Sequence, residues 1–355
     1  MGPRAVATRA MSAWLSVRDD DVECLLTSEG QTVAHVGTGL DDVVAARHPH
    51  AQPNYIDTAP RRVHWTWPGA AFIDLADAVS WAGEGSPIGS TAFLGGDILA
   101  LKEAGSTAVH VHVPRLMTHS DLGLGFLGKL AGVELDVLAE PFDLSDIVAR
   151  ARRTLGDLRL TATYSGDLPL TGVGGMARAW HDAGADGAAA QNFERRAGEW
   201  VVELTRAAQR AGRTSLLNGP TINPRAGWAG VGGGLGMLLD LMGGQLRTIG
   251  EHLVSVPSDV DLVVYVCGAV GVDLPTGLHA AATQAQDIGV PVVLLTDSSG
   301  LRKGELPRLG LHGSYELRPE RAFAGDSDDL AAISTIPPLL DDAVARIART
   351  WGWDF

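Results

Sequence analysis

Several short stretches carry residue types at spacings that suit particular chemistries. In DLGLGFLGKL, Gly123, Gly128 and Lys129 stand at the G-x-x-x-x-G-K spacing that opens a nucleotide-binding P-loop. A P-loop also needs Ser or Thr after the lysine to hold Mg²⁺, and it follows a buried strand directly. Leu130 occupies that position here, and PRLMTHSDLGL intervenes after the strand-like TAVHVHV, so the context argues against a phosphate loop. The glycine run from Gly230 to Gly236 holds no G-x-G-x-x-G register and is not a dinucleotide fingerprint. His110 and His112 lie two apart in an alternating stretch and share a strand face, with His119 following. Three imidazoles suit zinc, which makes a metal-dependent enzyme one reading and the polar face of a half-exposed strand the other. No carboxylate or cysteine has the spacing to complete or orient that set. A serine hydrolase would need G-x-S-x-G, which is absent. Asp74 and Asp77, three apart on an expected helix, are either substrate ligands or a solvated face.

The elements that must position these residues follow from periodicity. Residues 4–17 read as a helix, VECLL at 22–26 as a short buried strand, and AAFIDLADAVSWAG at 70–83 as a helix. A loop and then a helix starting near Gly95 follow. Alternation makes TAVHVHV (107–113) and LRLTATYSG (158–166) strands, the second leading into the turn DLPLTG. Residues 192–212 form a long amphipathic helix, and AGWAGVGGGLGMLLDLMGG is a glycine loop feeding an apolar helix. DLVVYVCG and VPVVLLTD are continuous apolar strands bracketing a helix near 277–288, a β-α-β unit with a parallel pair covered on both faces. The C-terminal LLDDAVARIARTWGWDF is a helix docked by its aromatics.

At 355 residues two domains are expected, and 45% hydrophobic with 20% charged residues places the chain among globular proteins rather than disordered or fibrous ones. A formal charge of −14 repels phosphate backbones and anionic lipid, so neither nucleic acid nor a membrane is an expected partner. No apolar run approaches a membrane span, and MGPRAVATRAMSAW has no signal core. Cys24 and Cys267, far apart and in apolar runs, predict no disulfide framework and a reducing, cytoplasmic setting.

Taken in order, several stretches resemble the type I glycerate kinase family, whose members phosphorylate glycerate from ATP with magnesium. AAFIDLADAVSW is similar to the family's A-V-I-E-M-A-x-A-S-G-L, with Asp74 and Asp77 where glutamates are common. SPIGSTAFLGGDIL resembles N-P-L-x-x-T-T-Y-G-x-G-E-L-I, keeping Pro87, Thr91 and Gly96, with Phe93 for tyrosine and Asp97 for glutamate. Asp121, Gly123 and Gly125 match the D-x-G-x-G of the family's glycine loop, which puts Lys129 inside a helix. Asp167 opens DLPLTG, similar to D-N-P-L-x-G, and NPRAGWAGVGGGLGMLLDLMGGQL resembles the family's second glycine loop. DLVVYVCGAVGVDLPTGLHAA tracks D-L-V-I-T-G-E-G-R-x-D-x-Q-S-L-H-G-K through Gly268, Asp273 and His279. The resemblance runs from about residue 5 to 315. It implies two α/β domains, a discontinuous Rossmann-like one (1–70 and 250–355) with a second (71–249) inserted, and a cleft where their loops meet.

The departures fall on the parts that make phosphoryl transfer fast. The family opens with a strand ending A-P-D-S-F-K-G-S, and this sequence starts at the helix that follows. The resemblance thus implies a sheet short of one strand, covered by a partner subunit such as an intact paralogue, or an upstream reading frame that supplies it. D-G-G-E-G becomes T-S-E-G, leaving Glu29 and Gly30, and Val113, Pro114 and Arg115 stand at or near G-G-S. G-P-Q-K-G reads WHDAG, Ala269 and Gly271 replace a glutamate and an arginine, and L-H-G-K reads LHAA. Two readings follow. In the first, the chain is a weak or inactive homologue that binds a ligand or partner. In the second, it is a working glycerate or small-hydroxyacid kinase using ATP and Mg²⁺. The expected site under that resemblance is Asp121 and Asp273 as base or metal ligands, and Asp74, Thr91, Asp97, Asp167 and His279 around substrate. Arg115, Gly123, Gly232 and Gly234 are expected at phosphate.

Overall fold

The computed structural model describes residues 1–33, 36–80, 89–117, 120–210, 214–215, 219–220, 222–271, 274–318 and 336–352. They make a mixed α/β fold that divides into two compact units, Met1–Glu29 with Gly39–Ala46 and Gly250–Phe355, and Gly30–Thr38 with Arg47–Ile249.

The first unit holds a three-stranded parallel sheet in the order β11 (Gly313–Glu316), β10 (Val292–Thr296), β9 (Val263–Cys267). Because side chains alternate along a strand, Val292 and Leu294 join Tyr265 beneath helix α11 (Thr276–Ile288) on one face. Val293 and Leu295 meet α1 (Pro3–Leu15) and α12 (Ile336–Trp351) on the other. That two-sided burial explains why VVLLT reads as an unbroken apolar run. Two shorter helices, α2 (Leu40–Arg47) and α10 (Ile249–Leu253), lie where the chain passes between units. The expected strand at 22–26 is absent, and Cys24 and Leu25 are exposed in non-regular chain. A five-residue apolar run becomes a strand only where a ladder receives it, and nothing in VECLL itself encodes that partner.

The second unit is built on a six-stranded sheet. Its order is β1 (Gln52–Ile56), β2 (Arg62–Trp67), β3 (Ala70–Asp74), β4 (Ala108–Val113), β5 (Arg159–Tyr164), β8 (Gln245–Thr248). The first two pairings are antiparallel and the remaining three parallel. A small ribbon of β6 (Thr214–Ser215) and β7 (Gly219–Pro220) stands apart. Residues 70–74, expected as helix, are strand β3, and the helix there is the single turn α3 (Ala76–Val79). Ala71, Phe72 and Ile73 are buried between β2 and β4, and a run buried on both faces carries no period to separate strand from helix. The Trp67–Ala70 pair is closed by Pro68 and Gly69, the latter at φ 75°, the proline–glycine order that a tight turn with a left-handed third residue requires. Residues 47–70, expected with the discontinuous part, lie in this unit because β1 and β2 are laddered onto β3.

Over the sheet pack α4 (Ala92–Glu103), α5 (Leu124–Ala131), α6 (Ser145–Leu155), α7 (Met176–Asp182), α8 (Gly187–Arg210) and α9 (Leu235–Leu241) around one large apolar core. Trp180 and Trp200 are fully buried in it, and Trp200 Nε1 donates to the Val137 carbonyl at 3.0 Å. The P-loop-like spacing has a packing cause. Gly123 supplies a left-handed turn before α5, Gly128 faces the Val133 carbonyl, and Lys129 is an exposed residue whose stem lies on Gly95 of α4. A methyl group on Gly95 would come within 2.8 Å of Lys129 Cβ and 3.0 Å of the Phe126 carbonyl. Gly95→Ala is therefore expected to cost about 1–3 kcal/mol of unfolding free energy by overpacking. Lys129→Ala should stay within about 0.5 kcal/mol. Urea unfolding of both variants checks the pair.

Candidate active site

The most densely bonded polar group among the expected site residues is Asp121. It precedes α5, and its carboxylate faces the start of α4 as well. Oδ1 accepts from Thr91 Oγ1 at 2.8 Å and the Gly123 amide at 3.0 Å, and Oδ2 accepts from the Thr91 amide at 2.8 Å and the Gly125 amide at 2.9 Å. Thr91 Oγ1 in turn accepts from the Phe126 amide at 2.9 Å. One carboxylate therefore satisfies the orphan amides of two helix starts, where the helix dipole also favours negative charge. Burial pushes its pKa up, while the bonds from Thr91, Gly125 and Gly123 pull the other way. A proton on either oxygen would displace a donor.

Around this knot runs the second glycine loop. Gly232, Gly233 and Gly234 all have positive φ, and all three are buried. Their backbone approaches so closely that a Cβ on Gly232 would overlap Val113 and one on Gly233 would overlap Ser120. Ser120 Oγ donates to the Gly233 carbonyl, the Gly232 amide donates to the Pro114 carbonyl at 2.9 Å, and the Gly234 amide to the Gly230 carbonyl at 3.2 Å. With the Gly123 amide on Asp121, all three glycines expected at phosphate spend their amides inside the fold. Arg115 is exposed, its Nε donating to the Asp167 carbonyl at 3.3 Å, and the Asp167 side chain is exposed beside Gly227.

The remaining expected residues sit elsewhere. Asp97, on α4, is gripped by Arg62, with Nε 2.5 Å from Oδ2 and Nη2 2.6 Å from Oδ1. His64 Nε2 lies 3.2 Å from Oδ2, off the line of a hydrogen bond. Burial raises the Asp97 pKa, but His64 and Arg62 outweigh it and hold the carboxyl below its usual range. Arg62 also lies 5.0 Å over the Phe93 ring. Asp74, at the end of β3, accepts from Thr38 Oγ1 at 2.5 Å and from the Ala76 amide at 2.9 Å, while Asp77 accepts from the Thr38 amide at 3.0 Å. These acids hold Thr38 and the start of α3 rather than lining a helix face. His279 is exposed on α11 in the other unit. Asp273, Pro87 and His119 lie outside the described residues.

His110 and His112 do share a face, but His112 is fully buried rather than half-exposed. His112 Nε2 donates to the Gly30 carbonyl at 2.8 Å, so Nδ1 accepts from Thr163 Oγ1 at 3.0 Å. The threonine hydroxyl then accepts from His110 Nε2 at 2.8 Å. A Cβ on Gly30, whose φ is 64°, would overlap the His112 ring. Both His112 nitrogens are thus committed, and no group of three His, Cys, Asp or Glu suited to a metal occurs among the described residues. Of the positions expected at ATP and Mg²⁺, both Asp121 oxygens and the amides of Gly123, Gly232 and Gly234 have partners within the chain, Arg115 is exposed, and Asp273 lies outside the described residues.

Arg62, His64, Ser120 and Thr163 were not anticipated. The signal for the first two was present, since RVHWTW alternates and places Arg62 and His64 on one strand face.

Together these elements make a fold similar to that of a glycerate kinase. The likeness is to the crystal structure of a "putative glycerate kinase 2" from Salmonella typhimurium LT2, with a TM-score of 0.69 over 98% of this chain and 94% of that one. The two sequences are 17% identical, so the likeness is one of fold. No family model matches the chain, and no curated protein matches it. No helix among the described residues is long and apolar enough to cross a membrane.

Two outcomes test this geometry. Asp121→Asn strands donors on two helix starts and is expected to lose about 3 kcal/mol or more in urea unfolding, whereas a dispensable catalytic acid would gain stability or leave it unchanged. His112, held by burial at a pKa of about 4 against an ordinary 6.5, binds a proton in the unfolded chain before it does in the fold. Stability should therefore fall as pH drops through 6.5 toward 4, by about 3 kcal/mol from this group. His112→Asn should lose that share of the slope in denaturant titrations run at each pH.

Proposed function

We propose that the chain is a diverged glycerate-kinase-like protein that binds a small hydroxyacid such as glycerate, alone or with a partner subunit, and transfers phosphate weakly or not at all. Phosphoryl transfer takes its rate from positioning, from cationic charge and metal on the moving group, and from a base at the attacking hydroxyl. The observation that carries the reading is the Asp121 carboxylate, each of whose oxygens accepts two hydrogen bonds from the starts of α4 and α5. The inward-turned amides of Gly232 and Gly234 and the neutralisation of Asp97 by Arg62 support it. Each lost transition-state contact costs about 3–4 kcal/mol, so a few suffice to remove most of the rate.

A second reading, a working kinase for glycerate or a related hydroxyacid using ATP and Mg²⁺, is favoured by Arg115. That side chain is exposed in the loop after β4 and bonds one carbonyl, which leaves a cation at the surface of the glycine loops.

ADP release with ATP, Mg²⁺ and D-glycerate separates the two. The expected outcome is turnover about a hundredfold or more below the roughly 1–100 s⁻¹ of ordinary kinases, with glycerate binding detectable by calorimetry. Turnover of about one per second, abolished in a folded Asp121→Asn variant, would contradict the proposal.

A further inference from the structure

In the first unit a second carboxylate is saturated by its own chain, at a place that the proposed activity does not explain. Glu29 is the last residue before the chain passes into the second unit. Its Oε2 accepts from the Thr276 amide at 2.7 Å and from Thr276 Oγ1 at 2.9 Å. Its Oε1 accepts from Tyr265 OH at 2.7 Å and from the Gly277 amide at 3.1 Å. The N-terminal end of α11, a thirteen-residue helix with no cap of its own, is thus closed by a side chain more than two hundred residues earlier.

Thr276 has a further partner. Its hydroxyl, which donates to Glu29, accepts from the Gly250 amide at 3.0 Å, and Gly250 is where the chain re-enters the first unit after Ile249. The backbones meet so closely that a Cβ on Gly250 would overlap Thr276 and the Gly277 amide, and one on Gly277 would overlap Tyr265 OH. Glycine is required at both positions by that approach. Burial, then the Glu29 charge, push the Tyr265 pKa upward, so the phenol stays a donor. On the other side of the first passage, the Gly30 carbonyl is held by His112.

We propose that Glu29 is a positioning residue, a carboxylate latch that fastens the chain at both the Glu29–Gly30 and the Ile249–Gly250 passages to the N-terminal end of α11. A carboxylate is needed because all four groups facing it are donors; an amide would turn its own N–H₂ toward two of them.

Amide hydrogen exchange on the full chain tests the latch. Glu29→Gln is expected to speed exchange at Thr276, Gly277 and Gly250 together by about tenfold to a hundredfold, while the β4 amides are unchanged. Thr276→Ala should free Gly250 and leave Gly277 slow. Sodium formate, supplied to Glu29→Ala, should restore slow exchange at Thr276 and Gly277 where equal sodium chloride does not. If Glu29→Ala does not fold, Tyr265→Phe, which removes one donor and keeps the other three, should give the same pattern at smaller size. Protection at Gly250 that survives loss of Glu29, or formate no better than chloride, would overturn the proposal.

Discussion

A buried carboxylate is tolerated only when every lone pair that faces the interior has a donor, and Asp121 is the point where that rule organises the second unit. Its four donors come from the starts of two helices, so α4 and α5 are fixed to each other at their N-terminal ends. The glycines follow from that fixation. Gly95 lets α5 lie directly on α4, and Gly123 turns the backbone so that its amide reaches Oδ1. The polar centre and the apolar core are one arrangement.

The same economy recurs at several other polar groups of the described chain. Asp97 is matched by Arg62, His112 spans from Thr163 to the Gly30 carbonyl, and Glu29 closes α11. In each case a group suited to bind or transfer is employed in holding chain segments. A site that must bind an external anion leaves donors unsatisfied until the ligand arrives, and the described glycine-loop amides leave few. The fold is similar to that of a glycerate kinase, and at 17% identity the likeness is one of framework.

Much of this framework was legible because it rests on local pattern. The alternation of TAVHVHV and LRLTATYSG, the paired apolar strands around α11 and the glycine loop before α9 all appear where periodicity puts them. The failures share a physical cause, which is that tertiary pairing decided the outcome. AAFID is a strand because β2 and β4 flank it, and VECLL is not one because no ladder takes it up. The site was legible as residue types and hidden as roles. Asp121, Thr91 and Gly123 do come together, yet spacing alone does not say whether a carboxylate's oxygens face a ligand or two helix ends. Arg62 lies 35 positions from Asp97, and only the fold joins them.

The central claim is that the reactive-looking carboxylate of this scaffold is occupied by its own chain. The ¹³Cγ resonance of Asp121, followed while ATP, Mg²⁺ and D-glycerate are added together at neutral pH, tests it most directly. The account predicts a resonance that does not move, with the Thr91 and Gly125 amides equally still. A saturable shift of that carboxyl signal, accompanied by those two amides, would contradict it.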